Sequence, residues 1–256
     1  MCKLPHRGWL RSLAGELVAI KPDLIFALGG DVAPSARVAT GTIPIVIAVS
    51  NDPVQAGLVA SLARPGGNIT GVTFVSSDLA AKRLQFLREI APNLARVAVI
   101  WNPDHVDPEY RETQTAAKTL GIQLQSLEVR SAEDFDTAFQ IATDARIEAL
   151  IPITSRLMLT NRPRIIEFSR QHQLLLASGF GPWVREGALL SYGPDTDAST
   201  KRAAVYVDKI LHGAKPDELP IEQPTKFQLL INGKTAKSLG LDIPPTLLAT
   251  ADQVIE

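Results

Sequence analysis

The 256-residue chain is 45% hydrophobic and 21% charged, the composition of an ordinary globular protein. Its formal net charge of -1 excludes a strongly basic surface for nucleic acid or an anionic membrane. No apolar run approaches the roughly 20 residues that span a bilayer, Cys2 is the only cysteine, and the four histidines lack metal-ligand spacing. The sequence therefore predicts no internal disulfide, no metal site and no cofactor.

Apolar, strand-like runs alternate with amphipathic helical segments along almost the whole chain. The predicted strands are residues 24–28, 43–49, 69–74, 97–101, 122–129, 149–153, 174–177, 188–192 and 227–231. The predicted helices are residues 53–62, 79–90, 109–120, 133–145, 163–172 and 198–211. Continuous apolar strands joined by helices are typical of parallel sheets covered on both faces. The predicted fold class is α/β, with two doubly wound parallel-sheet lobes and a hinge cleft.

Two irregular segments predict where the chain crosses from one lobe to the other. "ARPGGNITGVTFVSS" (63–77) contains a turn cluster that interrupts the α/β series, and "GPDTDAST" (193–200) marks the return. Lobe one is predicted to comprise residues 1–74 plus 194–220, and lobe two residues 75–193; residues 221–256 are assigned to neither. A helical segment precedes the first strand, whereas a complete doubly wound lobe starts with a strand, so the first lobe is predicted to be incomplete.

Catalytic and nucleotide-binding motifs are missing or incomplete. No serine lies in G-x-S-x-G, and Gly29-Gly30-Asp31 lacks the third glycine of a dinucleotide fingerprint. "INGKTAKSLG" (231–240) resembles a phosphate loop, but Gln228 occupies the position where that loop needs its first glycine. The segment is interpreted as a short strand–helix turn.

Polar and aromatic residues follow the predicted strands. In open parallel sheets, ligands bind outside the carboxyl ends of the strands, so these residues predict a small-molecule cleft. The predicted binding residues are Asp31, Ser50, Asn51 and Asp52 from lobe one, Trp101, Asn102, Thr154 and Phe180 opposite them, and Tyr192 and Asp195 at the hinge. Each also has a structural interpretation: Ser50 or Asp52 as helix caps, Asn102-Pro103 as a turn, and Trp101 or Tyr192 as core-edge aromatics.

The blocks "IPIVIAVSNDPVQAGLVASLARPGGNITGVTF", "RVAVIWNPD", "GALLSYGPD" and the C-terminal "PTKFQLLINGKTAKSLGLDIPPTLLATADQVIE" resemble ABC-transporter substrate-binding proteins of the tryptophan/tyrosine-type uptake group. The resemblance implies a type I periplasmic-binding fold whose two lobes close over a ligand. It also implies an extracytoplasmic receptor that delivers its ligand to a membrane permease. The family's signal sequence and first strand–helix–strand are not found here, so the chain is interpreted as N-terminally truncated, and a genuine start would make it cytoplasmic.

The predicted function is non-catalytic capture of a small polar metabolite, such as an amino acid, by a monomer that binds no nucleic acid. Trp101 and Tyr192 are predicted to stack on an apolar or planar part of the ligand, and Asp195 to pair with a cationic group. Asp31 also favours a cationic or hydroxyl-rich group over a bare carboxylate. The alternatives are a ligand-sensing domain of a regulatory system and an enzyme of doubly wound fold.

Overall fold

Two separate β-sheets organise the chain in the computed structural model, which describes residues 6–49, 52–74, 79–105 and 108–256. The strands are β1 (Ile25–Leu28), β2 (Ile45–Val49), β3 (Ile69–Thr73), β4 (Arg96–Trp101), β5 (Gln123–Glu128), β6 (Ala149–Pro152), β7 (Leu175–Ser178), β8 (Leu190–Pro194), β9 (Phe227–Asn232) and β10 (Gln253–Ile255). The helices are α1 (His6–Ala19), α2 (Val32–Ala39), α3 (Leu79–Ile90), α4 (Glu109–Leu120), α5 (Asp134–Asp144), α6 (Arg156–Thr160), α7 (Arg162–Gln171), α8 (Pro182–Arg185), α9 (Thr196–Leu211), α10 (Gly233–Ser238) and α11 (Pro245–Thr250). A short 3-10 helix covers Pro216–Glu218.

The chain divides into two units, each of which contains one sheet. Unit 1 consists of residues 1–75 and 196–224, and unit 2 of residues 76–195 and 225–256. The sheet of unit 1 has the order β1-β2-β3, and both of its strand pairs are parallel. The sheet of unit 2 has the order β10-β9-β8-β7-β6-β4-β5, in which only the β8–β9 pair is antiparallel. The α/β class with predominantly parallel sheets is therefore confirmed.

Successive residues of β4 illustrate why unit 2 forms a sheet buried on both faces. Val97 and Val99 belong to one apolar cluster, and Ala98 and Ile100 belong to another on the opposite face. All four side chains are fully buried. Side chains alternate between faces along a strand, so a continuous apolar run is satisfied only when helices cover both sides.

A smaller apolar cluster forms the core of unit 1. It joins strand residues such as Ile25, Ala27 and Ile47 to Ala33 and Ala36 of α2. The α9 helix follows the first of the two chain segments that form unit 2. It packs against β2 and β3 of unit 1. Tyr206 of α9 is fully buried, and its hydroxyl donates a hydrogen bond to the Pro220 carbonyl oxygen at 2.6 Å.

The predicted helix over residues 53–62 is wrong, because the structure contains a series of turns there. The Asp52 carboxylate accepts hydrogen bonds from the backbone N–H groups of Val54 and Gln55 at 2.8 and 3.1 Å. Gly57 then takes a positive φ of 65°, which ends any helical continuation. A side-chain acceptor and a left-handed glycine thus form a compact turn in a segment whose residue pattern alone is helical.

The N-terminus of α5 contains half of the capping box that Ser131 and Asp134 could form. The α5 helix begins at Asp134, and the Ser131 side chain makes no cap. Instead, the Asp134 carboxylate accepts hydrogen bonds from the backbone N–H groups of Arg130 and Ser131. The carboxylate half of the capping box therefore forms, and the hydroxyl half does not. At the other end of a helix, Gly121 terminates α4 in the left-handed conformation.

Candidate functional site

The carboxyl ends of four adjacent strands bring most of the predicted residues of unit 2 to one edge of its sheet. Because β4, β6, β7 and β8 are parallel neighbours, the residues that follow them lie side by side. The predicted residues at this edge are Trp101, which ends β4, Tyr192, which lies within β8, and Asn102, Thr154, Phe180 and Asp195, which follow the strands. From β4 the chain passes to β5 on one side, and from β5 it returns to β6 on the other side. The crevice between β4 and β6 is thus a topological switch point, where ligands bind in open α/β sheets.

Two glycines allow the chain to pack closely at this edge. A Cβ atom on Gly193 would lie 1.7 Å from the carbonyl oxygen of Gly179. A Cβ atom on Gly179 would lie 2.5 Å from Arg83 Nη1 and 3.6 Å from Thr154 Oγ1. The end of β8 and the segments that follow β6 and β7 therefore meet around Gly179. Thr154 is buried, whereas Phe180 is half-buried.

The two aromatic residues that were predicted to stack on the ligand have partners within unit 2. The Trp101 ring stacks on Tyr110, with a centroid distance of 4.2 Å and an interplanar angle of 6°. Its indole N–H donates to Ser126 Oγ at 2.8 Å. Tyr192 packs edge-to-face on Phe86 at 5.2 Å. The structure thus fixes the orientation of both rings, and their predicted contact with a ligand stays a prediction.

The predicted polar residues of this edge also make local hydrogen bonds. Asn102 Oδ1 accepts from the Asp104 backbone N–H at 2.9 Å, which is the turn expected from Asn-Pro. Asp195 Oδ2 accepts from Gln228 Nε2 at 3.1 Å, and the carboxylate is half-buried. Gln228 lies on the antiparallel strand β9, 33 residues further along the chain, so no local sequence pattern predicts this contact.

A buried ion pair that sequence reasoning missed lies at the same edge. Arg83 Nη2 is 2.8 Å from Glu109 Oε1, and the two side chains are 1% and 8% exposed. Burial raises the pKa of Glu109, and the charge of Arg83 opposes that rise. One signal could have revealed the pair: Arg83 occupies the apolar stripe of α3, flanked by the buried residues Ala80, Leu84 and Leu87.

The predicted residues of unit 1 lie at the carboxyl ends of β1 and β2. Asp31 stands at the N-cap position of α2 and is half-buried. Asp52 stabilises the turn described above through its carboxylate. Since β1 and β2 are parallel neighbours, the two carboxylates belong to the same edge of the sheet. Ser50 and Asn51, which were also predicted to bind the ligand, lie outside the described residues.

The segment that resembles a phosphate loop is a capped strand–helix turn. Asn232 Oδ1 accepts from the Thr235 backbone N–H at 2.9 Å, so this amide is already occupied. An open depression of about 800 Å³ lies beside the segment and is lined by residues that include Gly233, Lys237 and Leu241. Because β9 is antiparallel to β8, this depression is at the opposite edge from Thr154 and Tyr192.

Within the part of the chain that the structure describes, no helix is long and apolar enough to cross a membrane. An α/β unit whose parallel strands end in hydroxyl, amide, carboxylate and aromatic groups, as those of unit 2 do, is typical of small-molecule-binding proteins. Residues 7–255 match the family model described as ABC transporter substrate binding protein. The chain therefore belongs to the ABC-transporter substrate-binding proteins.

Individual relatives agree with this assignment. The chain is 26% identical over 234 residues to the tyrosine-binding protein of Clostridioides difficile, an alignment that covers 90% of this chain and 67% of that protein. A conserved domain protein from Vibrio cholerae matches with a TM-score of 0.90 and 27% identity, over 97% of this chain and 84% of that one. An ABC domain from Streptococcus pneumonia in complex with L-Trp has a TM-score of 0.89 at 23% identity, with the same coverage, and shows the shared fold.

The comparisons confirm the predicted family and its type I periplasmic-binding fold. The chain is an ABC-type substrate-binding component, and the family implies a small-molecule ligand and a membrane permease as partners. Members of this family are typically extracytoplasmic.

Proposed function

We propose that this chain captures an amino acid or a closely related polar metabolite and delivers it unchanged to a permease. The observation that carries the proposal is the set of groups at the carboxyl edge of unit 2. Hydroxyl, amide, carboxylate and aromatic side chains follow adjacent strands there. A half-buried carboxylate and an aromatic ring suit the ammonium and the side chain of an amino acid, respectively.

The hydrogen bonds at this edge support binding rather than catalysis. Ser178 Oγ donates to the Phe180 carbonyl oxygen at 3.0 Å, and Ser155 Oγ accepts from the Met158 N–H. Among the described residues, neither of these hydroxyls nor that of Thr154 is hydrogen-bonded to a histidine or a carboxylate, as an activated nucleophile would be. Mass spectrometry of the released ligand tests this directly, because an unchanged mass is expected after prolonged incubation.

Two relatives support this ligand class: one is named a tyrosine-binding protein, and the other was crystallised with L-Trp. We expect isothermal titration calorimetry to detect binding of L-tyrosine or L-tryptophan, within a panel that also contains the other amino acids. Failure of every amino acid in the panel to bind would contradict the proposal. The predicted monomeric state, the absence of nucleic-acid binding and the extracytoplasmic location form part of the same proposal.

Asp195 is the residue that we expect to bind the cationic group of the ligand. Asp195→Asn should weaken binding by roughly 1.5–3 kcal/mol, the range for a hydrogen bond to a charged group. Asp197→Asn is the matched control, because Asp197 is exposed in the first turn of α9. Equal affinities in the two variants would show that Asp195 does not contact the ligand.

A further inference from the structure

Arg83 places a guanidinium group inside unit 2, next to the edge that carries the predicted binding residues. It lies one turn inside α3, and helical side chains point back toward the N-terminus of their helix. The side chain is 1% exposed. The Nε and Nη1 atoms of Arg83 have no hydrogen-bond partner among the described residues. Within the same part of the chain, Arg83 forms an ion pair only with Glu109.

A buried, incompletely paired guanidinium is unfavourable for folding. Removing a charge from water costs several kcal/mol in general, and a buried ion pair of this kind can often be replaced by apolar residues without loss of stability. Leu84 and Leu87, which flank Arg83 on α3, show that the surroundings accept apolar side chains. Stability alone therefore does not explain an arginine at this position.

The position of the guanidinium indicates what it acts on. Arg83 Nη1 and Thr154 Oγ1 both lie within 3.6 Å of one point, the place that a Cβ atom on Gly179 would occupy. The positive charge is thus directly beneath the segments that follow β6 and β7. An interior charge is weakly screened, so its field extends to a group bound at the surface of this edge.

We propose that Arg83 sets the charge specificity of the binding site: without touching the ligand, it favours compounds that place a carboxylate or a similar anionic group at the edge formed by Thr154 and Gly179. The inference rests on the proposed function of this edge as a binding site. Glu109 moderates the field, because its carboxylate faces the same guanidinium at 2.8 Å. The field at the edge is therefore the balance of two opposite charges.

This balance leads to a test in which two substitutions act in opposite directions. Affinities for L-tyrosine and L-tryptophan are compared with those for their carboxamides, which lack the anionic group. Arg83→Met should weaken binding of the free acids about tenfold and change binding of the amides less than about twofold. Glu109→Gln removes the opposing charge, so it should strengthen binding of the acids a few-fold. A purely structural role of the pair predicts that both variants weaken acids and amides alike.

Two more variants keep the test valid if a single substitution leaves an unpaired charge and impairs folding. The double variant Arg83→Met/Glu109→Met removes both charges, and it should fold and lose the preference for acids over amides. Arg83→Lys should retain the preference, because it keeps the charge. Circular dichroism melting verifies folding of each variant.

The outcomes separate the two proposals. If the wild-type protein binds no amino acid of the calorimetry panel, the proposed ligand class and the role of Arg83 both fail. If it binds an amino acid but the double variant keeps the full preference for that free acid over its carboxamide, only the role of Arg83 is refuted.

Discussion

The two sheets differ in how completely their strands are covered. In β4, which has a neighbouring strand on each side in the unit 2 sheet, Val97 to Ile100 are all fully buried. In β1, the first strand of the unit 1 sheet, Ile25 and Ala27 are buried, whereas Phe26 and Leu28 are 45% and 56% exposed. Both strands are apolar, so the sequence of a strand does not decide its burial. The number of neighbouring strands and helices decides it.

Phe26 and Leu28 are exposed because β1 is an edge strand and α2 covers only its other face. The α2 helix packs against the face that carries Ile25 and Ala27, and α9 packs against β2 and β3. The comparison predicts that substitutions in unit 1 have large effects in β2 and β3 and small effects at the exposed positions of β1.

The largest effect is expected for Gly71→Ala in β3. Gly71 has a φ of 135°, and a Cβ atom there would lie 2.2 Å from the backbone oxygen of Ile47 on the neighbouring strand. Neither backbone can move without breaking the sheet, so we expect a loss of about 3 kcal/mol or more in the free energy of unfolding, measured with urea. Gly67→Ala is the control, because a Cβ atom added at Gly67 would have no neighbouring atom within 4 Å. Equal unfolding midpoints would contradict the close approach of β2 and β3.

The next effect compares the two strands directly. Ile100→Ala in β4 should lower the free energy of unfolding by about 2–5 kcal/mol, because it creates a cavity in a fully buried site. Leu28→Ala in β1 should change it by no more than about 0.5 kcal/mol, since that side chain already contacts water. A large loss in Leu28→Ala would show that β1 is covered in solution by something else.

Secondary structure could be predicted from the sequence where it depends on local residue patterns, and not where it depends on individual side-chain contacts. The strands other than β10 and the helices of ten or more residues could be predicted, since a continuous apolar run such as that of β2 is a local property. The turn at residues 53–57 could not, because the Asp52 carboxylate competes with helical hydrogen bonds in a way that periodicity does not register. The N-terminus of α5 could not be predicted in detail for a similar reason. The direction of the Asp134 side chain decides which backbone N–H groups it caps.

The candidate site shows a second limit. Residues that follow parallel strands could be located from the sequence, because the carboxyl ends of such strands share one edge. The Arg83–Glu109 pair could not, because its partners lie on α3 and α4 and no local pattern joins them. The stacking of Trp101 on Tyr110 and the contact of Asp195 with Gln228 are tertiary contacts of the same kind.

A smaller effect is expected at the cap of α10 in unit 2. Asn232 is buried, its Oδ1 accepts from the Thr235 N–H, and its Nδ2 donates to the Val184 carbonyl oxygen at 2.8 Å. Asn232→Ala should lower the free energy of unfolding by about 2 kcal/mol, because it removes a cap and a buried hydrogen bond. Asp52→Ala in unit 1 should cost about 1 kcal/mol or less, since its turn is exposed. Urea unfolding measures both, and a reversed order would contradict the difference in burial.

The smallest effect concerns the pH dependence of unit 1. Arg202 Nε and Nη2 donate to the two carboxylate oxygens of Glu222 at 2.6 and 2.7 Å. These hydrogen bonds hold the pKa of Glu222 below its ordinary value of 4.5. The folded state therefore binds the proton more weakly than the unfolded chain does. The contribution of the pair is fully present above pH 4.5 and is lost as the pH falls through the folded-state pKa. Both side chains are more than a third exposed, so the contribution is expected to be small.

Glu222→Gln should lower the melting temperature slightly at about pH 6, and this difference from the wild type should close toward about pH 3. Glu128→Gln, which changes an exposed carboxylate in unit 2, is the matched control. A difference between Glu222→Gln and the wild type that is the same at every pH would show that Glu222 stabilises unit 1 without its charge.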